Sequence, residues 1–372
     1  MKICIIGGRL QGTEACYLAR ACGMYSILID IDPEAPAGGL ADRFAAGDLV
    51  KEDPEVIEAF READLILPAN ENDELLRKTA ELALRYDKPL AFDPAAYEIT
   101  KSKIRSDRLF RENGIPCPRY YPEGRAPYVV KPSDGSGSAG VKKINTREEA
   151  EAFFCDKAKE DILQEYLEGP SYSIEVIGKP GNYRTYTVTE VHVDSAYDCH
   201  MITSPVKLPE DRLRRFSETA VRLAELVKLK GIMDVEVIDD GEDLKVLEID
   251  ARIPSQTPIA VLKSSGMNLL KELADVTLYG EFRDENTAGG GENIFCAYEN
   301  YRKKDGVITS EGEHIMRTAK PLTYRENFLG SMETMTDYTD EEADFRGIFI
   351  NWGEDKDEVL NWRNTLLHSQ KG

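Results

Sequence analysis

Gly231–Pro258 reads GIMDVEVIDDGEDLKVLEIDARIPSQTP, two alternating apolar strands around an Asp-Asp-Gly-Glu-Asp turn, a pattern that predicts a β-hairpin. Side chains two apart on a strand point the same way. Asp234 and Glu236 therefore share one face of the first strand, and Glu248, Asp250 and Arg252 one face of the second. Antiparallel pairing brings Glu236 and Glu248 within reach of one cation. Carboxylate oxygens are what Mg²⁺ takes when it also holds a substrate phosphate. A solvated hairpin face decorated with acids is the plain alternative, and the hairpin alone does not choose between them.

Length and composition narrow the choice. A chain of 372 residues predicts two or three domains. No window approaches 18 apolar residues, and MKICIIGG runs straight into a strand without a basic leader, so a soluble cytoplasmic protein with no membrane partner is expected. Seven scattered cysteines with no CxxC pair indicate neither a disulfide framework nor a zinc site. A net charge of -21 speaks against nonspecific nucleic-acid binding, because phosphate backbones demand basic patches. Any bound phosphate must be held locally.

Upstream of the hairpin, Lys2–Ile6 predicts a strand, Gly7-Gly8-Arg9-Leu10-Gln11-Gly12 a turn, Gln11–Cys22 a helix, and Ser26–Ile29 a second strand ending at Asp30. This order suits a Rossmann-type sheet, but Arg9 replaces the glycine that lets a backbone approach a pyrophosphate, which argues against NAD. Strands are predicted at Asp64–Leu67 and Pro89–Phe92, with a helix over Asp73–Tyr86, so residues 1–95 form a small α/β domain. Glu71 is either a ligand-binding residue at a strand's carboxyl end or an acid favoured by a helix start. Thr100–Asn113 has helical spacing. Between strands at Tyr128–Pro132 and Val141–Ile144, the Gly/Ser loop at 133–140 offers N–H and hydroxyl donors for an anion, or is only a flexible linker. Ile162–Leu167, Ser171–Ile177 and Arg184–Asp194 predict strands, Ser195–Pro209 a loop, and Glu210–Leu229 an amphipathic helix. The residues after about Asn293 show short strands and acidic turns without recognisable chemistry.

The order of parts from Lys103 to Arg252 resembles the ATP-grasp family of carboxylate–amine ligases. It has a helix-borne lysine before Ile115-Pro116-Cys117-Pro118, then Val130-Lys131-Pro132 ahead of the Gly/Ser loop. It has an EYLEG hinge at Glu165–Gly169 and closes on Glu248-Ile249-Asp250-Ala251-Arg252. IGGRLQG, VHVDSAYDCHMIT, GIMDVEV and VLEIDARIPSQTP carry a narrower likeness to a branch serving pyrrolysine biosynthesis, and the likeness extends along the whole chain. The resemblance implies an α/β, mixed α+β architecture. A Rossmann-like domain over 1–95 would precede a small lid subdomain over 96–180 and a large catalytic subdomain over 181–372, with nucleotide held between the last two.

It also implies an ADP-forming ligase using ATP and Mg²⁺, expected as two ions, and small amino-acid substrates: 3-methyl-D-ornithine as the carboxylate and L-lysine as the amine. A homodimer is compatible with it. By the same resemblance Lys103, or its neighbour Lys101, and Lys131 hold the phosphates together with Ser136, Gly137 and Ser138. Gln164, Glu165, Tyr166 and Leu167 face the adenine, and Glu175 or Glu168 takes the ribose. Glu236, Glu248 and Asp250 hold metal, Asp250 standing where the family usually has asparagine, and Arg252 steadies the transferred phosphoryl group. Ammonium-bearing substrates call for acids and aromatic faces, which Asp194, Tyr197, Asp198, His200 and Asp234 supply. Gln11, Glu71, Arg252 and Ser255 complete the expected substrate set, with Asp234, Lys131 and Arg252 catalytic. A reactive acyl phosphate calls for a closing lid, for which the 133–140 loop is the candidate. Cys199 and His200 are neighbours on an extended stretch and point apart, against covalent catalysis. A purine-pathway or D-alanine-type ligase of the same family, and a nucleotide-sensing protein without turnover, remain the other readings.

Overall fold

The structure is a computed structural model and describes residues 1–133, 140–155, 161–283 and 294–368. Its N-terminal unit is a parallel sheet of β1 (Lys2–Ile6), β2 (Tyr25–Asp30), β3 (Arg43–Ala46) and β4 (Leu65–Pro68), in the order β3-β2-β1-β4. The crossovers are α1 (Leu10–Ala21), α2 (Pro54–Glu62) and α3 (Asp73–Arg85). Helices cover both faces, so Ile3, Cys4, Ile5 and Ile6 are all buried, the unbroken apolar run of an interior parallel strand. The stretch expected as a strand at Pro89–Phe92 contributes one bridge, Leu90 to Ile66. Pro89 has no N–H to extend a ladder, and Asp93 already caps the next helix.

The helix expected over Thr100–Asn113 is α5 (Lys103–Glu112); a further helix, α4 (Pro94–Thr100), precedes it, and Ser102, extended at φ −103, ψ 108, separates the two. Then β5 (Tyr128–Pro132), β6 (Lys142–Ile144), α6 (Arg147–Cys155) and β7 (Asp161–Glu165) build a small antiparallel sheet in the order β6-β5-β7. Ser136, Gly137 and Ser138, with most of the expected lid, lie outside the described residues.

The remaining strands form one large antiparallel sheet, eleven-stranded among the described residues. Its first members are β8 (Ser171–Lys179), β9 (Asn182–Thr185), β10 (Thr189–Val193) and β11 (Cys199–Ser204), followed after α7 (Glu210–Val227) by β12 (Gly231–Asp239) and β13 (Leu244–Asp250). Helices α8 (Thr257–Ser265) and α9 (Leu269–Tyr279) precede β14 (Phe295–Lys304), β15 (Val307–Ser310), β16 (Thr323–Glu326), β17 (Glu333–Thr336), β18 (Phe345–Gly353) and α10 (Lys356–His368). The main path is β13-β12-β8-β10-β11-β14-β18-β17-β16. The strand expected over Arg184–Asp194 is therefore two, and the expected loop Ser195–Pro209 contains β11. The C-terminal stretch extends the large sheet. Because β8 pairs with β12, the chain enters the large sheet before residue 180, where the subdomain division was expected.

One face of this sheet buries Ile174, Val176, Met233, Val235 and Val237 against Phe216, Ala220 and Leu223 of α7. On the other side, α1 packs Ala15 and Leu18 into a core shared with Ile259 and Ala260 of α8 and Leu270 of α9, which docks the N-terminal unit onto the body. No helix among the described residues is long and apolar enough to cross a membrane.

Candidate active site

The hairpin pairs antiparallel, with Asp234 opposite Asp250 and Glu236 opposite Glu248; on its other side Asp234 lies opposite Glu175 of β8. Burial of Met233, Val235 and Val237 against α7 forces Asp234 and Glu236 onto the opposite face. The second strand needs a device to do the same. Leu244 and Val246 enter the α7 core, and strict alternation would send Glu248 after them. A bulge at this point, where Glu236 pairs with Glu248 but Val237 with Val246, switches the parity. Ile249 and Ala251 then face the core, and Glu248 and Asp250 face the acids of β12.

Arg252 lies just past the end of β13, folded back by a bond from its N–H to the Asp250 carbonyl at 3.0 Å. Its guanidinium collects three acids: Glu71 Oε1 at 3.0 Å, Asp250 Oδ2 at 3.1 Å and Asp234 Oδ1 at 3.5 Å. Gln11 donates to the same Glu71 oxygen at 2.9 Å, so the β4–α3 loop of the N-terminal unit closes on the hairpin. Glu71 is thus an arginine partner; Asn72, not Glu71, caps α3. Lys103 Nζ is ion-paired with Glu248. Burial, then repulsion by Glu248, lifts Glu236 to about 7. Burial also raises Asp250 to about 7, against the pull of Arg252. Asp234 is raised by burial too.

The carboxylates outnumber the cations among them, and their proton affinity marks a place short of positive charge. Among the described residues no three His, Cys, Asp or Glu side chains converge as a ready ligand cage. The donor set still fits Mg²⁺, which takes one or two carboxylates and completes its shell with phosphate oxygens and water.

On one side of the hairpin opens a cleft of about 290 Å³ between the small and large sheets, lined by Lys103, Lys131, Gln164, Glu165, Tyr166, Leu167, Glu236 and Glu248, among others. Lys131 forms no ion pair among the described residues, and burial lowers its proton affinity against the pull of Glu248. Gln164 turns its amide toward Asp107 at 3.3 Å, and its backbone lies in the ladder opposite Val129 of β5. Glu168 lines the cleft near Lys143, at 3.6 Å. Glu175 does not reach it: fully buried on β8, its carboxylate accepts no hydrogen bond among the described residues and is pushed up by burial to about 7. Lys101 is outside as well, paired with Asp73 and Glu98.

On the other side lies an acid-rich pocket of about 140 Å³ that shares Glu236, Glu248, Val191, Val193 and Tyr197 with the cleft. Asp198, Asp234, Asp250, Arg252 and Ser255 line it too. Asp194 and His200 do not. Asp194 accepts from Ala196 and Asp198 amides within its turn, and His200 on β11 points to the far face, 3.0 Å from Ser310 Oγ. Two lining residues, Gln256 and Glu313, had no sequence signal of their own. Gln256 stood within the quoted hairpin stretch, whereas Glu313 comes from a segment that reads as acidic turns. The N-terminal glycine turn is occupied by the chain itself, since Asp30 accepts from the Gly8 amide at 2.6 Å, and a Cβ at Gly12 would stand 2.0 Å from the Gly7 carbonyl oxygen.

With this geometry established, comparison with known proteins is direct. The ATP-grasp domain family matches residues 100–256. A 3-methyl-D-ornithine–L-lysine ligase of Methanosarcina acetivorans is 37% identical over 366 residues, covering 98% of this chain and 96% of the relative. That of Methanosarcina mazei is 39% identical over 315 residues, 84% of this chain and 81% of the relative. Among solved structures, a biotin carboxylase of Campylobacter jejuni superimposes with a TM-score of 0.72 at 16% identity, covering 99% of this chain and 91% of that one. An L-amino acid ligase from Bacillus licheniformis gives 0.68 at 15% identity, covering 98% and 96%. These likenesses support the expected α/β ATP-grasp architecture, and the sequence relatives, matched over nearly their whole length, place the chain in a family: it belongs to the ATP-grasp ligases, with the Methanosarcina 3-methyl-D-ornithine–L-lysine ligases.

Proposed function

We propose that this chain joins the carboxylate of 3-methyl-D-ornithine to the side-chain amine of L-lysine, converting ATP to ADP and phosphate, as a step toward pyrrolysine. The observation that carries the reading is that the acidic hairpin is the common wall of two spaces. One presents lysines, as a polyphosphate requires, and the other is rich in carboxylates, as a substrate with several ammonium groups requires.

A carboxylate does not react with an amine in neutral water, because its oxygen is a poor leaving group. In this reading one carboxylate oxygen of the diamino acid attacks the γ-phosphorus of ATP. The bond to the bridging oxygen breaks, ADP departs, and an acyl phosphate forms. The neutral side-chain amine of lysine then attacks the carbonyl carbon. The C–O bond to phosphate breaks, and the amine proton passes to solvent. Lys131 and Lys103 hold and neutralise the phosphates, and Arg252 steadies the group in transfer. Asp234, with Asp198 and the face of Tyr197, receives substrate ammonium. Glu236, Glu248 and Asp250 would hold Mg²⁺, which when bound offsets charge on the phosphate oxygens. Lys103, ion-paired with Glu248, would exchange that partner for phosphate.

The test is ADP release by the purified protein over a panel of acids and amines with MgATP, with the product identified by mass. The reading expects full turnover only when 3-methyl-D-ornithine and L-lysine are both present. Equal turnover with D-alanine alone, or with bicarbonate and an aminoimidazole ribonucleotide, would assign the chain to another ligase of the family.

A further inference from the structure

The end of the acidic pocket away from the nucleotide cleft is built by a segment whose sequence shows no chemistry. Glu313 opens a short 3₁₀ turn (Glu313–Thr318) and lines the pocket beside Asp198 and Gln256, none of which touches the cleft. Asp198 is 8% exposed. Its Oδ2 is paired with His314 Nδ1 and accepts from the His314 amide at 3.3 Å, while its buried Oδ1 accepts no hydrogen bond among the described residues. The turn comes this near only because residue 312 is glycine: a Cβ there would lie 1.9 Å from Asp198 Oδ2. Glu313 Oε2 likewise accepts from the Gln256 side-chain amide, and its other oxygen forms no hydrogen bond among the described residues.

Gln256 is held for that contact. It is 3% exposed with φ +73 and ψ −47, at the centre of a three-residue turn closed by Thr257 N–H to the Ser255 carbonyl at 2.9 Å. Its Oε1 accepts from Cys199 Sγ and Asn300 Nδ2, both at 3.4 Å, which fixes the amide so that its nitrogen faces Glu313. Six carboxylates line this pocket, Asp198, Asp234, Glu236, Glu248, Asp250 and Glu313, and Arg252 is its one lining guanidinium. Arg252 reaches Asp234 and Asp250, and His314 reaches Asp198, so Glu313 forms no ion pair of its own among the described residues. A half-buried carboxylate in that condition, beside the buried and unpartnered Asp198 Oδ1, calls for a cationic ligand.

We propose that Asp198 and Glu313 form an ammonium subsite that takes the side-chain ammonium of the diamino acid, with Glu313 determining specificity and Gln256 acting as its positioning residue. This rests on the ligase reading above. With the activated carboxylate at the wall shared with the nucleotide, beside Arg252, the other end of the substrate points to this far end.

The probe pair is 3-methyl-D-ornithine and 2-amino-3-methylpentanoic acid of the same configuration, which differ only in the side-chain amine. Binding is measured by calorimetry with a non-hydrolysable ATP analogue and Mg²⁺. Wild type should prefer the diamino acid. Glu313→Gln should weaken it about ten- to a hundredfold, leave the monoamino acid within about twofold, and leave the nucleotide unchanged. Gln256→Ala should lower the same ratio, which general damage to the pocket would not. Asp198→Asn supplies a second route if Glu313→Gln does not fold. Equal weakening of both acids, no weakening of either, or weakening confined to L-lysine overturns the assignment. If wild type binds both acids equally yet still forms the amide, the subsite falls and the ligase reading stands. If it neither binds the diamino acid nor releases ADP with it, the ligase reading falls and takes the subsite with it.

Discussion

Replacing Glu236 with glutamine should make the protein more stable and less able to hold MgATP. Glu236 lies opposite Glu248 and titrates near 7 because burial withholds water from its charge and Glu248 repels it. The folded protein therefore holds this proton more tightly than the unfolded chain does. That contribution to stability is complete below the unfolded value of 4.5 and is lost as the pH rises through 7. At about 1.4 kcal/mol for each tenfold change in proton affinity, carrying the charge at pH ~8.5 costs about 3 kcal/mol. Sharing of the proton among the neighbouring acids and screening at the open side reduce this to about 1–2 kcal/mol. With about 2.1 cal/mol/K per residue over 372 residues, Glu236→Gln should raise the melting temperature by about 1–3 °C at that pH. At pH ~5 the gain should shrink to about a quarter of this, since the folded wild type already carries the proton, and it should vanish below the unfolded value of 4.5. The assay is thermal unfolding of both proteins at the two pH values, with and without MgATP; the variant should also lose most of the nucleotide's stabilisation. A variant less stable than wild type at the higher pH would refute the reasoning, for it would mean that the carboxylate is satisfied where it stands.

Other outcomes follow from the same geometry. Glu248→Gln should abolish ligation without unfolding the chain, because a carboxamide is a poor Mg²⁺ ligand; undiminished turnover would remove Glu248 from the metal set. Lys131→Ala should weaken ATP binding by about 1.5–3 kcal/mol, the scale of a charge-assisted hydrogen bond, and an unchanged nucleotide dissociation constant would take Lys131 out of the phosphate site. Asp234→Asn should raise the KM for an amino-acid substrate about ten- to a hundredfold while leaving that for ATP within about twofold, and a parallel rise in both would point to a general collapse of the hairpin.

Much of this site was legible because strand periodicity is a local property. The turn at Asp239–Asp243 and the alternation on either side announced the hairpin and the shared face of Asp234 and Glu236, while the registers Glu236 to Glu248 and Asp234 to Asp250 arise only through a bulge. The bulge that keeps Glu248 on the acid face left no mark on the sequence, since strict alternation from Leu244 would have buried that residue among the α7 side chains. Arg252 was expected on the strand and stands beyond it, reaching the acids by a backbone turn. Glu175 was expected as a ribose ligand, but its strand is central in the sheet and its side chain is buried opposite Asp234, not in the cleft. His200 was misread because the stretch taken for a loop is a strand, which sends Cys199 toward the pocket and His200 away from it. Glu313 was invisible for a different reason: it reaches the pocket only through the pairing of β11 with β14, a contact about 100 residues long in sequence that no local pattern encodes.

The central claim is that the carboxylate is activated by phosphoryl transfer before the amine attacks. The most direct measurement supplies 3-methyl-D-ornithine labelled with ¹⁸O in both carboxylate oxygens, together with L-lysine and MgATP, and locates the label in the products by mass spectrometry. The account predicts one ¹⁸O in the released inorganic phosphate, one in the amide carbonyl and none in the nucleotide. Label in AMP, or inorganic phosphate free of label while amide accumulates, would contradict it.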